Sequence, residues 1–308
     1  MTANLEESQS EHGRIARGSG LARGIGAYTI WGLFPAFFGL LSFAAPLDIL
    51  AHRVIWTLAV MVAVLGIGRQ FGALRGLPAR TWLLVAAGAA SISMNWGTYV
   101  FAVLSDQVAE AALGYFINPL VSVAIGVIVF REKLSRAGTV AIALAVVAVV
   151  VLTVDYHRLP LIALTLAGSF ALYGVVKKLT PLPPKISLTA ETLSVAPFAA
   201  GYLTWAFVVH HQGIADSPEQ FGLLVLSGPV TAVPLLLFGA AAHRLPIVSI
   251  GVLQYLTPIM QFLWAVLVRH EQLSTTAWAG FALIWAALSI FTTDAVRSAK
   301  RRPPQFPR

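Results

Sequence analysis

Tyr115, Asn118 and Ser122 fall at i, i+3 and i+7 within one apolar run, a spacing that places all three on a single helix face. Gln254, Thr257 and Gln261 repeat that spacing in a second run, and a shift of 139 positions superposes the two triplets. Ser91, Asn95 and Tyr99 form a third stripe, with Trp96 at its edge. Amides donate and accept hydrogen bonds, and aromatic rings offer stacking and cation–π surfaces. Such stripes suit the holding of a small solute rather than the breaking of a bond. Pro119 and Pro258 lie inside the triplets and free backbone carbonyls there. The competing role is helix adhesion, in which each polar side chain bonds to a neighbouring helix for about 0.6–2 kcal/mol. Two matched stripes favour the cavity.

Arg53, Glu110 and Glu191 are the ionisable candidates for gating or coupling. Arg53 lies about one turn into an apolar run and could snorkel to an interface. Glu191 occupies a similar depth in another run but is too short to snorkel well. It needs a polar partner such as Lys177 or Lys178, or a proton. Glu110 stands where it could complement the N-terminus of its own helix. Glu132 and Glu271 read as caps at helix ends, and His52 could titrate near neutral pH. The sequence contains no His-Glu-x-x-His motif, no paired intramembrane carboxylates, no nucleotide-binding loop and no cysteine. No catalytic residue, metal ligand or cofactor is therefore expected, and a nucleotide-driven pump within this chain is excluded.

The elements that must position these residues are membrane helices. The 308 residues are 57% hydrophobic and only 11% charged, too few polar groups for the surface of a water-soluble fold. Ten continuous apolar runs can be read, approximately 24–43, 49–67, 82–104, 111–130, 137–154, 161–176, 186–209, 221–242, 247–268 and 274–293. Each approaches the roughly 20 residues that cross a hydrocarbon core. Barrel strands would alternate apolar and polar residues, and these runs do not. The stretch before the first run carries Glu6, Glu7 and Glu11, unlike a cleaved leader.

With the N-terminus inside, all but three of the 21 Lys and Arg fall on the cytoplasmic side, leaving Arg53, Arg158 and Arg269 outside. The net charge of +8 is thus a topology signal rather than a nucleic-acid signal. Anionic lipid headgroups are the natural partners of these cations. The chain divides into a cytoplasmic tail (1–23), a first five-helix unit (24–155), a second unit (156–294) and a basic cytoplasmic tail (295–308).

Beyond the triplets, the same shift carries Pro119 onto Pro258, Phe116 onto Tyr255, and Glu132, Leu134 and Ser135 onto Glu271, Leu273 and Ser274. Trp31-Gly32 resembles Tyr173-Gly174 at a slightly different shift. Five spans per unit force the second copy to be inserted upside down, the inverted-repeat architecture of many secondary transporters. One cavity is expected near the membrane centre, faced by Trp31, Asn95, Trp96, Tyr99, Tyr115, Asn118, Tyr173, Gln254, Tyr255 and Gln261.

The chain resembles the EamA-type group of the drug/metabolite transporter superfamily. The resemblance rests on His52-Arg53-Val54-Ile55-Trp56, Asn95-Trp96, the run from Glu110 through Gly114-Tyr-Phe-Ile-Asn-Pro119 to Leu120, Tyr173-Gly174, Glu191-Thr192, and Gln254-Tyr255 before Pro258. It covers nearly all of the chain except the tails. Where the family usually reads Gly-Glu at the ends of spans four and nine, this sequence has Arg131-Glu132 and His270-Glu271. The resemblance implies an all-α protein of ten transmembrane helices in two inverted five-helix repeats, in the plasma membrane. The expected function is secondary-active transport, as an exporter or exchanger, of small organic metabolites or drugs. A non-transporting receptor or scaffold and a membrane-embedded enzyme are the alternatives. The oligomeric state is open, a homodimer being one arrangement.

Overall fold

The computed structural model of the chain describes residues 18–130, 135–210, 214–242, 244–245 and 247–301, and every regular element among them is helical. The expectations for residues 1–17, for Arg131, Glu132 and Lys133, and for the chain beyond residue 301 lie outside the described residues. The first apolar run is two helices, α1 (residues 18–32) and α2 (Phe34–Gly39), divided at Leu33. There follow α3 (Pro46–Ile67), α4 (Ala79–Leu104), α5 (Val108–Phe130), α6 (Arg136–Tyr156), α7 (Leu161–Leu179), α8 (Pro184–His210) and α9 (Pro218–Ala242). The ninth run breaks again, into α10 (Ile247–Leu253), α11 (Leu256–Leu263) and a π turn over Trp264–Val268, before α12 (Thr275–Arg301).

Two boundaries differ from the sequence reading. Helix α1 is already formed at residue 18, inside the stretch assigned to a tail, and α12 runs on to Arg301. The extension of α12 contains Ala295, Arg297, Ala299 and Lys300, strong helix formers that continue a helix beyond its apolar part.

Among the described residues, seven helices, α3, α5, α6, α7, α8, α9 and α12, are long and apolar enough to cross a membrane. α4 has the length but carries Ser91, Ser93 and Asn95, and breaks divide the first and ninth runs. Large apolar side chains face outward, with Ile128 and Phe198 each 77% exposed. Hydrocarbon is the medium that tolerates such a surface. The molecule is an all-α, multi-pass membrane protein.

The most extensive packing joins α6 to α12, α7 to both α4 and α5, and α3 to both α8 and α9. Small residues set the closest approaches. A Cβ on Gly114 of α5 would lie 2.7 Å from the Ala163 carbonyl oxygen of α7, and one on Gly228 of α9 would collide with the Trp56 backbone of α3.

The α6–α12 pair is pinned at both ends. Ser135 caps α6 by accepting from the Gly138 amide (2.9 Å), and its hydroxyl donates to Asp294 near the far end of α12 (2.7 Å). Ser274 caps α12 by accepting from the Ala277 amide (2.9 Å), and donates to Asp155 near the far end of α6 (2.6 Å). The two helices are therefore antiparallel. Both the serines and the aspartates are 139 residues apart.

Candidate functional site

Arg53 is the centre of one polar cluster. Its side chain does not snorkel: the residue is 2% exposed, and Nε donates to Thr231 Oγ1 of α9 at 2.7 Å. The guanidinium carbon lies 4.3 Å from the Trp96 ring centroid, 5.0 Å from Phe38 and 5.3 Å from Phe34. Helix packing explains the burial, since α3 is enclosed by α8 and α9 and its arginine faces the broken first run. The Tyr99 ring packs edge-on against Phe38 and tilted against Phe34 and Tyr115. Tyr115 donates from its hydroxyl to Asn95 Oδ1 (3.1 Å), while Asn95 Nδ2 donates to the Leu166 carbonyl of α7 (3.0 Å) and to Ser169 Oγ (3.2 Å). Four expected site residues, Asn95, Trp96, Tyr99 and Tyr115, thus meet Arg53 in one place.

A second cluster joins the two broken runs. Gln261 Nε2 donates to the Trp31 carbonyl (3.0 Å), and Thr257 Oγ1 donates to the Tyr28 carbonyl (2.8 Å). The Trp31 ring packs against Tyr28 and Phe238 at 5.4 and 5.8 Å. Tyr255 accepts a bond from Thr292 of α12. Asn118 accepts from Ser122 of its own helix at 3.4 Å, and Gln254 is half-buried beside Tyr255.

The third cluster surrounds Glu191, which is 2% exposed. Oε1 accepts from Lys177 Nζ of α7 at 2.8 Å and from Ser187 Oγ at 2.8 Å, and Oε2 accepts from the Tyr173 hydroxyl at 3.0 Å. Of the two lysines expected as partners, Lys177 forms the ion pair, because it shares the Tyr173 face of α7 one turn on.

Glu110 differs from its expectation. Its carboxylate leaves its own helix, accepting from the Ile162 amide at the start of α7 (3.0 Å) and from Arg158 (2.9 Å). The N-terminus of α5 is capped instead by Glu271, whose two oxygens accept from the Val108 and Ala109 amides at 2.7 and 2.9 Å. The assignment of Glu271 as a cap is therefore met across helices. Burial holds its carboxyl above the ordinary value, against the two amides, which lower it. The adjacent Arg269 pairs with Asp106.

A crevice of about 520 Å³ opens between α3, α8 and α9, lined by His52, Leu203, Phe207, Ser217 and Phe221 among others. None of the expected midplane residues lines it. A small cavity between α3, α4 and α8 is lined by Trp96 and Glu191, bringing the first and third clusters to one space. Phe34, Phe38 and Thr231 belong with Arg53 but were not singled out from sequence. An i, i+4 phenylalanine pair in an apolar run looks like ordinary core, and only the arginine above it distinguishes it.

No protein-family model matches the chain. It is 47% identical over 292 residues to Protein RarD of Streptomyces exfoliatus, covering 92% of this chain and 91% of that protein. It is 42% identical over 276 residues to the uncharacterized transporter YojE of Bacillus subtilis, covering 88% and 92%. A solved crystal structure superposes with a TM-score of 0.60 at 18% identity, covering 89% of this chain and 98% of that one, a likeness of fold alone. Apolar helices, polar groups packed between them and relatives of this kind define a membrane transporter. Within that class, the chain belongs to the RarD family.

Proposed function

We propose that the chain is a secondary-active transporter, an exporter or exchanger, that moves small organic metabolites or drugs by alternating access between two inverted five-helix repeats. Ten spans would lie in the plasma membrane with both termini cytoplasmic, their basic flanks against anionic headgroups. The observation that carries this reading is the reciprocal pair Ser135–Asp294 and Ser274–Asp155. Two like bonds at opposite ends of antiparallel helices, both spaced by the repeat shift, are what inverted copies of one unit would produce. The expected site residues of α1, α4, α5, α7 and the broken ninth run would contact the solute, with Arg53, Glu110 and Glu191 in gating or coupling.

Proteoliposome flux tests the transport mode. Candidate amino acids, nucleosides and amphipathic drugs should exchange or move with a pH gradient, and only when protein is present. Chemical turnover of a candidate without net movement would favour an enzyme instead. The absence of cysteine makes the topology test simple. Single Ser135→Cys and Ser274→Cys variants should react with an impermeant thiol reagent from opposite faces of the membrane. Labelling of both from one face would overturn the inverted arrangement.

A further inference from the structure

We infer that Arg53 and Tyr99 form an anion site inside the helix bundle, so that the solute carried by this transporter bears a carboxylate beside a flat apolar group. The inference rests on the transport reading and names its substrate class.

Among the described residues, Arg53 is a buried cation without a counter-charge. Nε is satisfied by Thr231, but Nη1 is buried and has no hydrogen-bond partner among the described residues. The ion pairs Arg158–Glu110, Lys177–Glu191 and Arg269–Asp106 each leave Arg53 out. One neutral hydroxyl and three ring faces do not neutralise a full charge in a low-dielectric interior. Tyr99 carries the matching signal. It is 2% exposed, its hydroxyl is also buried without a partner, and its ring lies 6.2 Å from Phe34 and 6.1 Å from Phe38, the rings that flank Arg53.

Two unspent donors in one aromatic shell select the ligand's chemistry. A guanidinium N–H and a phenol O–H both give protons, so their common partner is an acceptor, and the positive charge makes that acceptor an anion. A carboxylate accepts from both. An ammonium group could be accepted by the Tyr99 oxygen but meets like charge at Arg53. The Trp96, Phe34 and Phe38 faces would cover a planar apolar portion of the same molecule. A zwitterion is admitted only if its ammonium is held away from Arg53.

Purified full-length protein in detergent micelles would be titrated with benzoate, benzamide, indole-3-acetate and indole-3-acetamide, following tryptophan fluorescence and the melting midpoint. Each acid should bind at least about tenfold tighter than its amide, the scale of a charged hydrogen bond. Arg53→Gln should erase that preference, and Tyr99→Phe should reduce it about three- to tenfold while the protein melts as a single cooperative unit. Equal binding of acid and amide would overturn the site, as would an unchanged preference in both variants. If Arg53→Gln fails to fold, Tyr99→Phe decides alone, since it removes one oxygen and keeps the ring. Chloride and acetate are run beside the aromatic acids. If they compete as well as benzoate does, the site is a simple anion site and the substrate class falls. Proteoliposomes separate this failure from failure of the transport reading. A carboxylate that binds but is never carried would sink transport alone, whereas carriage of neutral solutes without carboxylate binding would sink the anion site alone.

Discussion

Gln261 donates to the Trp31 carbonyl, the group that Pro35 leaves without its helical partner. The amide of residue 35 would ordinarily bond that oxygen, and proline has none. A side chain of α11 therefore completes the backbone of the broken first run from outside it. Gln261→Leu should lower stability by about 1–3 kcal/mol, the cost of a buried carbonyl left unpaired. Thermal melts in detergent would measure it. An unchanged midpoint would mean that the carbonyl finds another donor.

Ser135→Ala and Ser274→Ala should each cost about 1 kcal/mol, the usual loss on removing a serine cap. The two caps sit at opposite ends of the α6–α12 pair and share no partner, so the double variant should show the sum. A large coupling energy in the cycle of four melts would show that the two ends communicate.

Glu191→Gln should be more costly, about 3 kcal/mol, because Lys177 would remain largely buried without its carboxylate. Adding Lys177→Met should recover much of that loss. A second substitution that only adds further destabilisation would show that the ion pair is not the dominant interaction of either residue.

The polar stripes divide by what they bond. Asn95 and Gln261 tie one helix to another, whereas Asn118 bonds within its own helix. Asn118→Ala and Gln254→Ala should reduce transport and leave expression and melting close to wild type. If the same changes lower the melting midpoint and spare solute affinity, both amides are adhesive.

Glu271 supplies a pH dependence. Burial raises its carboxyl above the ordinary value, so the folded state holds the proton more tightly than the unfolded chain does. Its contribution to stability is therefore full below the unfolded value. It falls as pH rises through the raised folded value, then stays level. Glu271→Gln should flatten that segment of a plot of melting midpoint against pH. A variant with the same slope as wild type would assign the dependence to another group.

The helical runs were legible because continuous apolar sequence has few alternatives. Lys177 was legible as a partner of Glu191 because a short buried acid must find a donor. The setting of Arg53 was not. Snorkelling is a property of the side chain alone, and its suppression depends on α8 and α9 closing over α3. Glu110 misled for a similar reason, since its own helix start was already occupied by Glu271 from a distant loop. Asp155 and Asp294 obey the repeat shift as well as the serines do. They were passed over because acids at span ends look like solvated boundaries.

The crossed Ser–Asp contacts of α6 and α12 also bear on how such a chain could be assembled. A chain of half the length, with one serine and one aspartate 20 residues apart, would form both bonds by meeting an upside-down copy of itself. Each copy would give one donor and one acceptor, and the contact would close on two subunits with nothing left to recruit a third. In the proposed inverted arrangement, joining the halves covalently would fix the ratio of upright to inverted units at one to one. Separate chains would reach that ratio only through evenly balanced insertion.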